Sequence, residues 1–139
     1  MPDKHFVTVK VAVVKGKTLL LQREEHEEGL VYSMPGGRLD AGEDIISGLR
    51  REVREEIGVE LSWISELPVK VYSSIAARKH GVVALIYQAE LASEDFNYNT
   101  TDAPEVVGTA YVDKETVAAS TLYIHKPFIL EYFDEFLSE

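Results

Sequence analysis

The chain of 139 residues contains no cysteine. That absence excludes disulfides, thiolate metal sites and a cysteine nucleophile. Basic residues are scarce as well: 14 Lys and Arg stand against 24 Asp and Glu, a net charge of −10. Such a balance argues against a non-specific grip on DNA or RNA backbones without a locally basic groove, so no nucleic-acid polymer is expected as a partner. A free polyphosphate would be repelled too, unless metal ions mask the carboxylates. No apolar run approaches the ~20 residues of a membrane-spanning helix, so no membrane partner is expected. The opening MPDKHFVTVKVAVV lacks the basic region, apolar core and small-residue cleavage site of a secretion signal. A soluble, cytoplasmic protein is the resulting expectation, and the sequon at Asn99 is then a chance match. Glycine (9) and proline (5) are not in excess, and no repeat or low-complexity tract divides the chain. A single domain over residues 1–139 is expected.

What is present is ordinary for a protein with its own core: 45% hydrophobic and 27% charged residues. Val7, Val9, Val11 and Val13 alternate, which predicts a half-buried strand from Phe6 to Val14. Lys15 to Lys17 read as a turn and TLLLQR, from Thr18, as a returning strand. EEHEEGL reads as a polar loop, and VYSM as a short strand running into Pro35-Gly36-Gly37. Further on, LPVKVYSSIAA and VVALIYQAEL read as β segments joined at RKHG, where Gly81 suits a turn. ASEDFNYNTTDAPE is a long polar loop, and VVGTAYV a last strand. Phe128, Ile129, Tyr132, Phe133 and Phe136 recur at helical spacing in a closing amphipathic helix. Strands on both sides of a central helix predict an α+β fold with a mixed β-sheet and a C-terminal helix.

The central helix is the unusual element. Asp44 is a plausible N-cap, and Ile45 to Ile57 carry the helical period. At about 100° per residue, Ile45, Ile46, Leu49, Val53 and Ile57 share one apolar stripe. Glu52, Glu55 and Glu56, spaced i, i+3, i+4, share a neighbouring one, with Glu56 at the border of the apolar face. Arg50 and Arg54 point away, while Arg51 borders the acidic stripe and can pair with Glu55. Gly48 sits one turn before Glu52, at a cost of about 1 kcal/mol relative to alanine, which makes sense where a ligand or a nearby backbone needs the space. A dense acidic face is commonly just solvated. Yet Glu52 and Glu56 repel one another at i,i+4 with no base between them, and a hard divalent cation such as Mg2+ would turn that repulsion into chelation. Helix geometry alone leaves both readings open.

The spacing around the helix narrows the choice. Gly37, five residues, Glu43, seven residues and then REVREEIGV resemble the Nudix box, G-x5-E-x7-R-E-U-x-E-E-x-G-U with U a bulky aliphatic residue. Gly37, Glu43, Arg51, Glu52, Val53, Glu55, Glu56, Gly58 and Val59 fill every specified position. The resemblance implies an α/β/α sandwich carrying a loop-helix-loop, and a pyrophosphohydrolase acting on a nucleoside diphosphate linked to another moiety. It implies Mg2+ as cofactor, with Mn2+ as an alternative, and a small-molecule nucleotide as substrate; a homodimer is left open. By position, Glu52 and Glu56 would be the principal metal ligands, Glu55 a further one when more than one ion binds, and Gly37 the backbone ligand. Arg51 would orient the carboxylates, and Glu43 would buttress the loop or reach a metal through water. Glu105, just before the last strand, is the candidate for the extra acidic ligand common in the family; a surface glutamate is the competing reading.

Outside the box the assignments are thinner. Arg23, ending its strand, is read either as a phosphate contact or as an exposed arginine. Arg78, with Lys79 and His80, forms a compact basic cluster that would reach a terminal phosphate or simply solvate a turn. Tyr32 and Phe96 would stack on a base or pack, and Trp63 and Tyr72 read as core or rim. His5, His26 and His125 have no metal-ligand spacing. Family subgroups acting on ADP-ribose or dinucleoside polyphosphates carry a proline or tyrosine downstream of the box, where this chain has Ile75, Ala76 and Ala77, so the substrate stays open. The alternatives to an enzyme are an idle nucleotide-sensing module of the same fold and a purely structural acidic helix.

Overall fold

The computed structural model describes residues 5–75, 81–98 and 100–137. The alternating N-terminal residues form β1 (His5–Ala12), with Val9 and Val11 fully buried. After β2 (Val14–Lys15), Gly16 turns the chain with φ 62° into β3 (Thr18–His26), followed by β4 (Gly29–Ser33) and β5 (Gly36–Arg38). Helix α1 (Ile45–Ile57) leads to β6 (Leu61–Ile64), β7 (Lys70–Ile75), β8 (Gly81–Leu91) and β9 (Val106–Val112). The chain then forms α2 (Lys114–Ala118) and α3 (Lys126–Tyr132), which continues into a π-helical turn over Phe133–Leu137.

Two mixed or antiparallel sheets result. In one, β1 lies between β5, antiparallel to it, and β8, parallel to it, while β6 and β7 pair with successive parts of β8. In the other, β3 pairs with β2, β4 and β9, all antiparallel. Strand alternation then sends neighbouring residues to opposite faces. Leu20 joins Val9, Val11 and Tyr87 beneath Leu49, Val53 and Ile57 of α1. Leu19 and Leu21 join Ala84 and Ile86 beneath Ile129, Tyr132 and Phe133 at the C-terminus. Helices thus cover both faces of the β layer, an α/β/α sandwich.

Several expectations are corrected. EEHEEGL is not a loop: β3 and β4 run on as an antiparallel hairpin, pairing Glu24 with Val31, Glu25 with Leu30 and His26 with Gly29. Backbone pairing sustains a strand whose side chains are largely exposed, so polarity misleads there. The short β6 and α2 carry too few residues for a periodic signal. Of the two aromatics read as core or rim, Trp63 is 48% exposed and fits the rim, while Tyr72 is buried and stacks on Phe128 with ring centroids 3.8 Å apart. Tyr32 stacks on Tyr123 and Phe96 on Tyr98, which gives both aromatics packing partners. The 92–105 segment has no helix or strand beyond the end of β8 among the described residues and is tied to α1, where Thr100 Oγ1 donates to the Glu55 carbonyl at 2.6 Å. Among the described residues, no helix is long and apolar enough to cross a membrane.

Candidate active site

Helix α1 is fixed at both ends by its sequence. The Asp44 side chain accepts from the Ser47 N–H at 2.9 Å, and Gly58 closes the helix with φ 74°, a left-handed conformation that suits glycine. Burying Leu49, Val53 and Ile57 then orients the acidic stripe toward the loop between β5 and α1.

Arg51 is the hub of that stripe. Its Nε and Nη2 donate to the two Glu43 carboxylate oxygens at 2.6 and 2.9 Å, a bidentate pair. Nη1 donates to Glu55 Oε2 at 3.0 Å and Nη2 to Glu52 Oε1 at 3.1 Å. Glu43 also accepts from the Asp40 N–H at 3.0 Å, and with Arg51 beside it its carboxyl is held at about 2. The same bonds raise the Arg51 pKa. Gly48 has an explanation here that needs no ligand. A Cβ on it would lie 2.3 Å from Leu39 Cδ2 and 2.9 Å from Glu43 Oε1, so the missing side chain lets the loop fold onto the helix.

Glu56 points inward instead. It is 8% exposed, and its Oε1 accepts from the Gly36 N–H at 2.7 Å. Burial pushes its carboxyl up to about 7, with Lys10, the Gly36 N–H and Gln22 acting the other way. Burial also raises Glu52, against the opposing charge of Arg51. Gly37 lies directly against Glu52, and a Cβ on it would sit 2.5 Å from Oε2. Only glycine lets backbone and carboxylate meet this closely.

Behind these carboxylates lies a polar network that sequence reasoning missed. The buried polar residues among those described are Gln22, Ser33 and Glu56. Gln22 Nε2 donates to Glu24 Oε2 at 3.0 Å, and Ser33 Oγ donates to the same oxygen. Gln22 Oε1 is buried without a partner. Lys10 Nζ donates to the carbonyls of Met34 and Gly36, each at 3.2 Å. The available signal was a polar residue in an inward-facing run, Gln22 directly after three leucines; Lys10, alternating with the valines, gave none.

The predicted residues are brought together unequally. Glu43, Arg51, Glu52 and Glu55 form one ion-pair cluster, with Glu56 beside Glu52 on the inner face and Gly37 against Glu52. Glu105 stands at the head of β9, where its carbonyl accepts from the Glu25 N–H at 2.8 Å; no hydrogen bond or ion pair ties its carboxylate to the α1 cluster. Arg23 is half-exposed, and its nearest ion pair is Glu25, at 3.9 Å. Arg78, Lys79 and His80 lie outside the described residues, as do Asn99, Ala76 and Ala77. Among the described residues no three acidic or histidine side chains stand close enough to share an ion as they are arranged, because Arg51 lies among Glu43, Glu52 and Glu55 while Glu56 faces Gly36. The donor set nevertheless suits a hard divalent cation: carboxylate oxygens, backbone carbonyls, two desolvated carboxylates one turn apart and an unpartnered amide oxygen. Beside the loop a cleft of about 520 Å³ is lined by residues including Phe6, Arg38, Asp40 and Glu43, adjoining the cluster.

Comparison with known proteins agrees with this fold. The NUDIX domain family model matches residues 4–133, nearly the whole chain. Among solved structures, the fold is similar to a NUDIX hydrolase from Nitrosomonas europaea (22% identity, TM-score 0.77, covering 94% of this chain and 87% of that one). It is also similar to a MutT protein from Methanosarcina mazei Go1 (18% identity, TM-score 0.79, 100% and 99%) and to a MutT NUDIX hydrolase from Burkholderia pseudomallei (23%, 0.67, 81% and 86%). No functionally curated protein matches the chain by sequence. With its box complete and the family match running from the first strand to the last helix, the chain belongs to the NUDIX family and is a pyrophosphohydrolase of nucleoside diphosphate derivatives.

Proposed function

We propose that the chain hydrolyses a pyrophosphate bond in a nucleoside triphosphate or a nucleotide-sugar-type substrate, taken up as its Mg2+ complex, with Mn2+ as a substitute. The observation that carries this reading is the pair of desolvated carboxylates, Glu52 and Glu56, set one turn apart against the Gly36–Gly37 backbone. On this reading Glu52, Glu55, Glu56 and the Gly37 carbonyl hold the ion, and Glu105 is the further acidic group. When bound by those residues, a divalent ion would supply charge neutralisation of the pyrophosphate, polarisation of the phosphorus and a lowered pKa for water. Glu52 is the group assigned to orient the attacking water or take its proton. Arg51 keeps Glu52 and Glu55 in place, and Glu43 in turn fixes Arg51. Arg23 and Arg78 are assigned to the substrate phosphates. Attack is in line, and catalysis comes from positioning and charge stabilisation rather than covalent chemistry.

The test is a release assay for phosphate and pyrophosphate with Mg2+ over nucleotides, sugar nucleotides and dinucleotides. Turnover of at least one nucleoside diphosphate derivative is expected, with a loss of about 100-fold or more for Glu52→Gln at unchanged far-UV circular dichroism. Undiminished turnover in that variant would remove Glu52 from the mechanism. Silence across the whole panel would turn the reading to a nucleotide-sensing module.

A further inference from the structure

We propose that Lys10 is a positioning residue of this site: by holding the carbonyls of Met34 and Gly36, its ammonium sets the turn that places both the Glu56 carboxylate and the Gly37 backbone. The proposal rests on the metal-site reading above. Lys10 lies in β1 with its side chain on the face of Ala12, opposite Val9 and Val11, where it is half-buried. A lysine drawn into such a place loses rotamer freedom and hydration, and needs fixed acceptors in return. The two carbonyls at 3.2 Å supply them.

The turn they belong to is pressed hard onto β1. Lys10 is the register partner of Gly36, and the Val11 N–H donates to the Pro35 carbonyl at 2.9 Å. Gly36 has φ 133°, and a Cβ there would come within 2.0 Å of the Val9 carbonyl oxygen. Gly36 therefore has its carbonyl on Lys10 and its N–H on Glu56, while the next residue, Gly37, lies against Glu52. One ammonium is thus connected to both desolvated carboxylates through two consecutive glycines. No other lysine or arginine among the described residues donates to this turn.

Charge and position predict opposite effects of removing Lys10. As a positive charge alone, Lys10 repels a cation, and neutralising it would tighten metal binding. As a positioning residue it keeps the ligand set in register, and removing it weakens binding. Partners that orient metal ligands in this way are typically worth about 10–100-fold in affinity.

The experiment is Mn2+ titration of the full chain at pH 8, following the electron paramagnetic resonance signal of the free aqua ion. We expect Lys10→Met to weaken Mn2+ binding about tenfold or more at unchanged far-UV circular dichroism, and Lys10→Arg, which restores charged donors, to recover most of the affinity. If Lys10→Met does not fold, Lys10→Gln takes its place with the same expected direction. Equal or tighter binding in the folded neutral variant overturns the proposal while leaving the metal site intact. The metal-site reading itself fails, and the proposal with it, if the wild-type chain binds no Mn2+ or if Glu56→Gln binds as tightly as wild type.

Discussion

At the scale of single residues, Glu56 is where burial and charge conflict most. Its carboxyl, pushed up to about 7 in the fold from an ordinary 4.5, binds a proton more tightly folded than unfolded. Such a group contributes stability that is complete below about pH 4.5 and is lost as the pH rises through 7. At about 1.4 kcal/mol per pKa unit the full swing is on the order of 3 kcal/mol. Glutamine in its place can still accept the Gly36 N–H bond but cannot ionise. In EDTA, the melting temperature of Glu56→Gln minus that of wild type is therefore expected to increase between pH 5 and pH 8, read by thermal denaturation across that range. A difference that stays flat with pH would mean that Glu56 is solvated in the fold. Glu43 has the opposite sign: held at about 2 by Arg51, it contributes stability at neutral pH that is lost on acidification below its ordinary value. Both carboxylates belong to the same box, and their partners set them apart.

At the scale of elements, the loop that carries the box is held by its glycines as much as by Arg51. Gly36→Ala would require a Cβ at φ 133° and 2.0 Å from the Val9 carbonyl oxygen, with backbone rather than a movable side chain in the way. Peeling β5 from β1 is the only relief, so we expect about 3 kcal/mol or more of destabilisation, measured by urea denaturation. A change within 0.5 kcal/mol would show that the turn is not packed as described. Gly42, also at positive φ but with nothing within 4 Å of its missing Cβ, is the comparison position, where only the backbone preference is lost. These glycines also mark how far the sequence is readable. The box motif and the i, i+3, i+4 spacing of Glu52, Glu55 and Glu56 identify the helix, its cap and, except for Ile45, which is 36% exposed at the first turn, its buried face, because helical period and capping are local. The inward turn of Glu56 onto Gly36 and the reach of Lys10 to the same residue depend on pairing between residues more than 19 positions apart, which no local pattern encodes. The β3–β4 hairpin is hidden in the sequence for the related reason that backbone pairing, not side-chain polarity, decides an exposed strand.

At the scale of the whole molecule, a net charge of −10 makes the fold sensitive to cations in two separable ways. Diffuse screening relieves repulsion among surface carboxylates, and any salt supplies it. An ion held by Glu52 and Glu56 stabilises by mass action instead, by about 2.7 kcal/mol at a hundredfold excess over its Kd. In a chain of this size that is a rise in melting temperature of roughly 5–10 °C. The two contributions part on comparing MgCl2 with KCl at equal ionic strength and pH 8. Magnesium is expected to raise the melting temperature of the wild-type chain beyond what potassium does, and the excess is expected to vanish in Glu56→Gln. It is also expected to shrink toward pH 5, because the ion must displace the proton that Glu56 retains there. Equal shifts from the two salts would reduce the acidic stripe to a screened surface. An excess that survives in Glu56→Gln would place the ion elsewhere among the 24 acidic residues. Loss of the excess in that variant alone would connect the buried carboxylate, the charge balance of the chain and the cation in one measurement.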